Sequence, residues 1–305
     1  MTVGSSASQS WSVEAFAEVG GQIKLCYQTL GDPADPPVLL IMGLGAQMLA
    51  WPDGFCELLA GQGLYLIRFD NRDCGRSTWL ESAGVPSLRA AGARELEHPP
   101  YLISDMAADA AGLLDELAVD GAHVVGSSLG GFVAQTLAIE RPERVLSLAS
   151  LMSSTGASGV GYPSEVALEV LMTRPPEGLD AYVENLVAAR RVIGSPGFEL
   201  DEPSLRATAT RYHQRGINPA GTQRQLAASI YSGDRTEALA SIGCPTVVVH
   251  GTDDALIDVS GGRATAEAIP GAELVLIEGM GHDFPAGTWP RIVEALVANI
   301  AHRPR

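Results

Sequence analysis

Lysine is all but missing from this chain of 305 residues: Lys24 stands alone, and arginine supplies the other 19 cations. The phosphate-cradling pattern G-x-x-x-x-G-K-[ST] is therefore excluded, and a Schiff-base mechanism has one candidate residue. Positive charge as a whole is scarce, 20 Lys and Arg against 36 Asp and Glu, for a net charge of −16. A surface of that sign repels phosphate backbones and anionic lipid headgroups, which argues against nucleic-acid and membrane partners. Cysteine is sparse too, at positions 26, 56, 74 and 244, with no C-x-x-C pair and no histidine at zinc-ligand spacing. Neither a disulfide scaffold nor a structural metal site fits that pattern, so reduced, structural thiols are expected. No apolar run approaches the ~18 residues of a membrane span. The opening MTVGSSASQSWS has neither the basic residue nor the apolar stretch of a signal peptide. The expectation is a cytoplasmic monomer or homodimer whose residues 1–12 are disordered.

What the chain does hold is apolar filling: 46% hydrophobic residues against 18% charged, which excludes a disordered chain. Its length lies near the upper limit for one hydrophobic core. Unbroken apolar runs recur at residues 38–42, Leu64–Phe69, His123–Val125, Val145–Leu151, Thr246–His250 and Glu273–Ile277, with a shorter strand at Lys24–Tyr27. Continuous rather than alternating runs point to strands buried on both faces of a parallel sheet. Segments of helical period separate them, at Trp51–Ala60, Ile103–Leu117 and Phe132–Ile139. The pattern predicts an α/β fold, a mostly parallel central sheet with helices on both faces.

Between residues 153 and 241 the alternation stops, and four helical patterns follow without a strand: Glu165–Thr173, Ala181–Val192, Ser204–Gln214 and Thr222–Tyr231. This segment is expected to be a helical cap over the sheet's carboxyl edge, inserted in a core of residues 13–152 and 242–305. It carries 8 arginines against 10 acidic residues, so it is far less acidic than the core. Most of those arginines are expected on solvated helix faces. No exposed apolar lid helix stands out in it.

Gly126-Ser127-Ser128-Leu129-Gly130-Gly131 sits directly between a strand and a helix. G-x-S-x-G in that setting is a nucleophile elbow, whose serine needs a strained backbone and small neighbours to stand above the sheet. Ser128 is the candidate nucleophile, and Ser127 is its misdirected neighbour. A serine hydroxyl needs a base, and the base an orienting acid. His98 and His302 fall in a loop and the tail, His123 at the far end of its strand, His213 in a cap helix and His250 at a strand end. His282, in Gly279-Met280-Gly281-His282-Asp283, follows the last strand on a flexible loop and is the candidate base. The chain order Ser, acid, His places the acid after Thr246–His250, where Asp254 is preferred and Asp253 is the alternative, with Asp258 further on.

The developing oxyanion needs two fixed backbone donors. Leu129 N–H, after the nucleophile, supplies one, and Leu44 N–H, in Met42-Gly43-Leu44-Gly45, the other. The same loop begins a G-x-G pattern, but Met48 at the third glycine position and a late Asp70 exclude a dinucleotide fingerprint.

Together, Met42–Gly45, Asp70-Asn71-Arg72-Asp73-Cys74-Gly75-Arg76-Ser77, the elbow, Asp254 and Gly279–His282 resemble the α/β-hydrolase superfamily over residues 22–300. Most similar is the esterase branch that contains aclacinomycin methylesterase and actinobacterial lipase/esterases. That resemblance implies carboxylic ester hydrolysis through an acyl-serine, a helical cap, a small-molecule ester as partner and no cofactor. Met42 departs from the pattern, since many relatives carry histidine there, which blurs the subfamily. Serine at the elbow argues against epoxide hydrolases and haloalkane dehalogenases, which use Asp. Lactonase, C–C bond hydrolase and cofactor-free perhydrolase chemistry use the same triad and stay open, as does a non-catalytic ligand-binding protein on this scaffold. The Asp70–Ser77 segment reads as a structural turn, with Asp70 and Arg72 as partners in its hydrogen bonding.

Overall fold

The computed structural model describes residues 10–302 except Arg94 and Glu97. Eight strands form one sheet: β1 (Ala15–Glu18), β2 (Lys24–Leu30), β3 (Pro37–Ile41), β4 (Tyr65–Phe69), β5 (Ala122–Ser127), β6 (Val145–Leu151), β7 (Thr246–Gly251) and β8 (Glu273–Ile277). Their spatial order is β1-β2-β4-β3-β5-β6-β7-β8. The first two pairings are antiparallel and all others are parallel. The helices are α1 (Asp53–Ala60), α2 (Leu88–Gly92), α3 (Ile103–Glu116), α4 (Leu129–Glu140), α5 (Glu165–Met172), α6 (Leu179–Ile193), α7 (Glu202–Arg215), α8 (Pro219–Ser232), α9 (Thr236–Leu239), α10 (Val259–Ala268) and α11 (Trp289–Ala301).

The unbroken apolar runs are explained by the strand period of two. In β3, Leu39 and Ile41 point into a cluster with Val133 and Leu137 of α4 and with Met106, Ala110 and Leu113 of α3. Val38 and Leu40 point the other way, against Phe55 and Leu59 of α1 and Ile292 and Leu296 of α11. Each face is covered, so every position along the strand must be apolar.

Helices α5–α8 all fall between β6 and β7 and seat on the sheet domain through a small apolar cluster. In it, Tyr182 and Val183 of α6 and Ala209 and Tyr212 of α7 meet Cys26, Met48 and Leu49. The four-residue α9 already belongs with the core, where Leu239 is buried.

Three expectations change. Residues 1–9 of the expected disordered segment lie outside the described residues, but Trp11 and Ser12 are held. The Trp11 ring stacks 3.6 Å from the Arg68 guanidinium, and Ser12 N–H donates to Thr29 O at 2.8 Å. The arginines of the insertion divide: Arg174, Arg191, Arg206 and Arg211 have exposed side chains as expected, but the side chains of Arg215, Arg224 and Arg235 are buried, the first two pairing with core carboxylates at Asp70 and Asp73. An exposed apolar helix does exist, because α5 leaves Val166, Leu168 and Met172 about half exposed.

Candidate active site

The candidate residues gather at one edge, the carboxyl ends of the parallel strands. Gly43 and Leu44 follow β3, Ser128 follows β5, Asp254 follows β7 and His282 follows β8.

At Ser128 the chain turns from strand to helix at φ 56°, ψ −123°, a left-handed φ that a side chain adopts only under constraint. The constraint is explicit. Ser128 N–H donates to Leu151 O at 2.9 Å, and Ser128 O accepts from Gly131 N–H and from Ser153 Oγ, each at 2.8 Å. A Cβ on Gly126 would collide with Gly130 O, and one on Gly130 with Ile41 O, so strand and helix can cross here only through glycines. Ser127 is buried and Ser128 is half-exposed, as the expected register requires.

Gly43 packs directly on the serine: a Cβ there would sit 2.9 Å from Ser128 Cβ and 3.3 Å from its Oγ. The Met42–Gly45 loop is pinned from two sides. Asn71 Nδ2 donates to Met42 O at 2.8 Å, and Gly45 N–H donates to Gln225 Oε1 of α8 at 2.8 Å. Among the described residues, neither Leu44 N–H nor Leu129 N–H has an acceptor. Leu129 is the first residue of α4, where helical geometry leaves the amide unpaired. Asn71 and Gln225 were not among the candidate residues; Asn71 lies in the recognised turn, while nothing local marks Gln225.

On the opposite side, His282 Nδ1 and Asp254 Oδ2 are 2.7 Å apart, and the Asp254 side chain is fully buried. Asp254 Oδ1 accepts from Leu256 N–H at 2.9 Å and Ile257 N–H at 2.8 Å, which fixes the carboxylate and leaves Oδ2 for the imidazole. Burial alone would raise this carboxyl's pKa. The charge of His282 and hydrogen bonds from His250, His282 and Ile257 N–H outweigh burial and hold it well below the usual carboxylate range.

The other candidates have separate partners. Asp253 Oδ2 accepts from Thr252 Oγ1 and Gly279 N–H, an exposed turn role, and Asp258 caps α10 through Ser260 N–H. His123 bonds Ser147, and His213 bonds Glu177 O. His250 Nε2 donates to Ile257 O at 2.8 Å and lies 3.5 Å from Asp254 Oδ2, so it borders the site as a structural group. Asp70 bonds within its turn as expected, accepting from Arg76 N–H at 3.0 Å, whereas the Arg72 side chain leaves the turn. Asp70 takes Arg215 Nη2 at 2.8 Å, and Arg72 grips Asp109 at 2.6 and 2.7 Å. The four cysteines are free, and burial pushes the Cys26 thiol up to about 12, unsuited to nucleophilic work. Among the described residues, no three His, Cys, Asp or Glu side chains form a metal cluster, and no helix is long and apolar enough to cross a membrane.

A cavity of about 190 Å³ separates the Leu44–Gly45 loop from the insertion. Leu171, Tyr182, Leu186, Ile217 and Leu226 give it apolar walls, and Asn185, Thr222 and Gln223 supply uncharged polar groups.

A parallel sheet in this strand order, a strained serine after β5 and an insertion after β6 define the class as an α/β-fold hydrolase. The family model described as the alpha/beta hydrolase fold matches residues 36–285, and the chain belongs to that family. The rhodomycin D methylesterase DauP of Streptomyces sp. (strain C5) is 31% identical over 299 residues, covering 91% of this chain and 95% of DauP. The enol-lactonase of Burkholderia xenovorans LB400 shares the fold with a TM-score of 0.71 at 22% identity, covering 94% of this chain and all of the lactonase. The 2-hydroxy-6-oxo-6-phenylhexa-2,4-dienoate hydrolase of Rhodococcus sp. strain RHA1 gives a TM-score of 0.72 at 20% identity, covering 95% and 99%.

Proposed function

We propose that the protein is a serine carboxylesterase that hydrolyses small-molecule esters through an acyl-enzyme, working without a cofactor. Ser128 Oγ attacks the ester carbonyl while His282 Nε2 takes its proton. Asp254 fixes the imidazole's tautomer and orientation through Nδ1–H and stabilises the imidazolium that forms. Leu44 and Leu129 N–H groups bind the oxyanion. His282 then protonates the leaving alkoxide, which departs as alcohol. Next it takes a proton from a water whose oxygen attacks the acyl carbon, and it returns that proton to Ser128 Oγ as the acyl–oxygen bond breaks and the acid leaves. The observation that carries this reading is the 2.7 Å bond between His282 and a buried carboxylate on the same sheet edge as the strained serine.

DauP is a methylesterase, and the cavity beside Leu44 is the place we assign to the larger group of a methyl ester: its walls are largely apolar, with Asn185, Thr222 and Gln223 and the charged Asp73 and Arg174 among them. In this reading α5–α8, within the expected 153–241, form the cap, and the rest, α9 included, is the catalytic core. Free buried thiols and the acidic surface support a cytoplasmic setting.

The test is labelling with a fluorophosphonate probe, intact-mass measurement and peptide mapping. Stoichiometric modification at Ser128, absent in Ser128→Ala and retained in Ser127→Ala, is expected. Folded protein that takes up no probe overturns the reading in favour of a ligand-binding protein on the hydrolase scaffold.

A further inference from the structure

The end of α6 and the segment after it lie main chain to main chain against the loop that carries His282. His282 N–H donates to Ile193 O at 2.7 Å, and His282 O accepts from Arg190 Nη1 at 3.0 Å. Gly281 N–H donates to Ser195 Oγ at 2.9 Å, and that hydroxyl donates onward to Asp283 Oδ1 at 2.5 Å. Gly197 N–H donates to Gly279 O at 2.9 Å. The approach is as close as backbone allows: a Cβ on Gly281 would collide with Gly194 O, and one on Gly197 would lie 2.7 Å from Gly279 Cα. The core's own hold comes earlier in the loop, where Asp253 N–H donates to Met280 O at 3.0 Å. Among the described residues, both main-chain groups of His282 bond to the insertion, while its ring bonds to Asp254 in the core.

We infer that Arg190 and Ser195 are positioning residues for His282, so that the base stands in place only while α6 of the cap is seated on the core. The inference rests on His282 being the base. A cap that swung away as one body would pull the imidazole off Asp254, which makes a seated α6 a condition of turnover. Loss of either side chain frees the loop without touching Ser128 or Asp254, and misplacement of a reacting group by about 1 Å costs on the order of 10²-fold in rate.

The experiment compares Ser195→Ala, Arg190→Ala, Ser195→Thr and Arg191→Ala in the full chain. Arg191 is the neighbouring arginine on α6, paired with Glu202 on the cap surface and, among the described residues, without a hydrogen bond or ion pair to the loop. With p-nitrophenyl acetate, Ser195→Ala and Arg190→Ala are expected to lose about 10- to 100-fold in kcat while KM stays within about twofold. Ser195→Thr, which keeps the hydroxyl, recovers most of the rate, and Arg191→Ala matches wild type. Hydrogen exchange over residues 278–284 provides a second readout that needs no activity: it speeds up in Ser195→Ala and not in Arg191→Ala. Wild-type turnover and unchanged exchange in Ser195→Ala and Arg190→Ala overturn the inference, as does an equal loss in Arg191→Ala. If wild type neither hydrolyses the ester nor takes up the fluorophosphonate, the esterase reading fails instead. Exchange then decides the loop's dependence on the cap, and unchanged exchange in Ser195→Ala overturns that too.

Discussion

Gly43 and Ser128 touch: the space a methyl group would need on Gly43 is taken by the serine's own Cβ, 2.9 Å away. Gly43→Ala must therefore push either the Met42–Gly45 loop or Ser128 out of position. The rest of that loop is held by Asn71 and Gln225, so the displacement falls at the serine and at Leu44 N–H. Loss of one oxyanion donor costs about 10²- to 10³-fold in kcat. Gly43→Ala is expected in that range, with a circular-dichroism spectrum like wild type, measured on p-nitrophenyl acetate.

Asp254 and Asp253 are neighbours with different work. Asp254→Asn keeps the shape but disturbs the imidazole's tautomer and charge, and a fall of about 10³- to 10⁴-fold in kcat is expected. Asp253→Asn keeps an acceptor oxygen for Thr252 Oγ1 and Gly279 N–H and should stay within a few-fold of wild type. Steady-state kinetics on the two variants decides this, and the reverse ranking would reassign the acid.

The depressed pKa of Asp254 has a stability consequence. A carboxylate whose native pKa lies below its unfolded value of about 4 stabilises the fold above that pH. As pH falls toward the native pKa, the unfolded chain takes up the proton first, and the contribution is lost. Urea midpoints measured from pH 7 to pH 3 should fall more steeply below about pH 4 in wild type than in Asp254→Asn, whose amide does not titrate. Parallel curves would show that the carboxylate gains nothing from His282 and the Leu256 and Ile257 amides.

Leu226 of α8 faces the cavity beside Leu44. Leu226→Trp should fill much of the space proposed for a bulky ester while leaving Ser128, Asp254 and His282 in place. The expected outcome is a drop of at least about tenfold in kcat/KM for a polycyclic methyl ester, with p-nitrophenyl acetate turnover unchanged. Equal losses on both esters would place the substrate's larger group elsewhere.

The sheet was legible because both of its faces are covered, which forces β3 and β5–β7 into near-continuous apolar runs. The four helices of the insertion were legible from period alone, within a few residues at each end. Of the elements that escaped, which include α2, α9 and α11, two have a plain physical reason. Strand β1 buries one residue, Ala17, so its alternation has almost no contrast. Helix α10 carries Gly261-Gly262, poor helix formers, in its first turn, because a Cβ on Gly262 would strike the buried His250 ring. Ser128, Asp254 and His282 lie at turns whose local chemistry announces them. The partners of Arg215 and Arg224 lie 145 and 151 positions away in the chain, and no local pattern announces a pairing of that span.

Those two arginines also limit how far this protein can be treated as interchangeable parts. Arg224 grips Asp73 through Nε at 2.8 Å and Nη2 at 2.6 Å, and Arg215 meets Asp70, with both carboxylates wholly inside. A buried carboxylate stripped of its cation is strongly destabilising. A chimera that grafts a relative's insertion onto this sheet domain must therefore bring arginines to these two points or replace Asp70 and Asp73 as well. The walls of the cavity can change far more freely than residues 153–241 can be exchanged as a block.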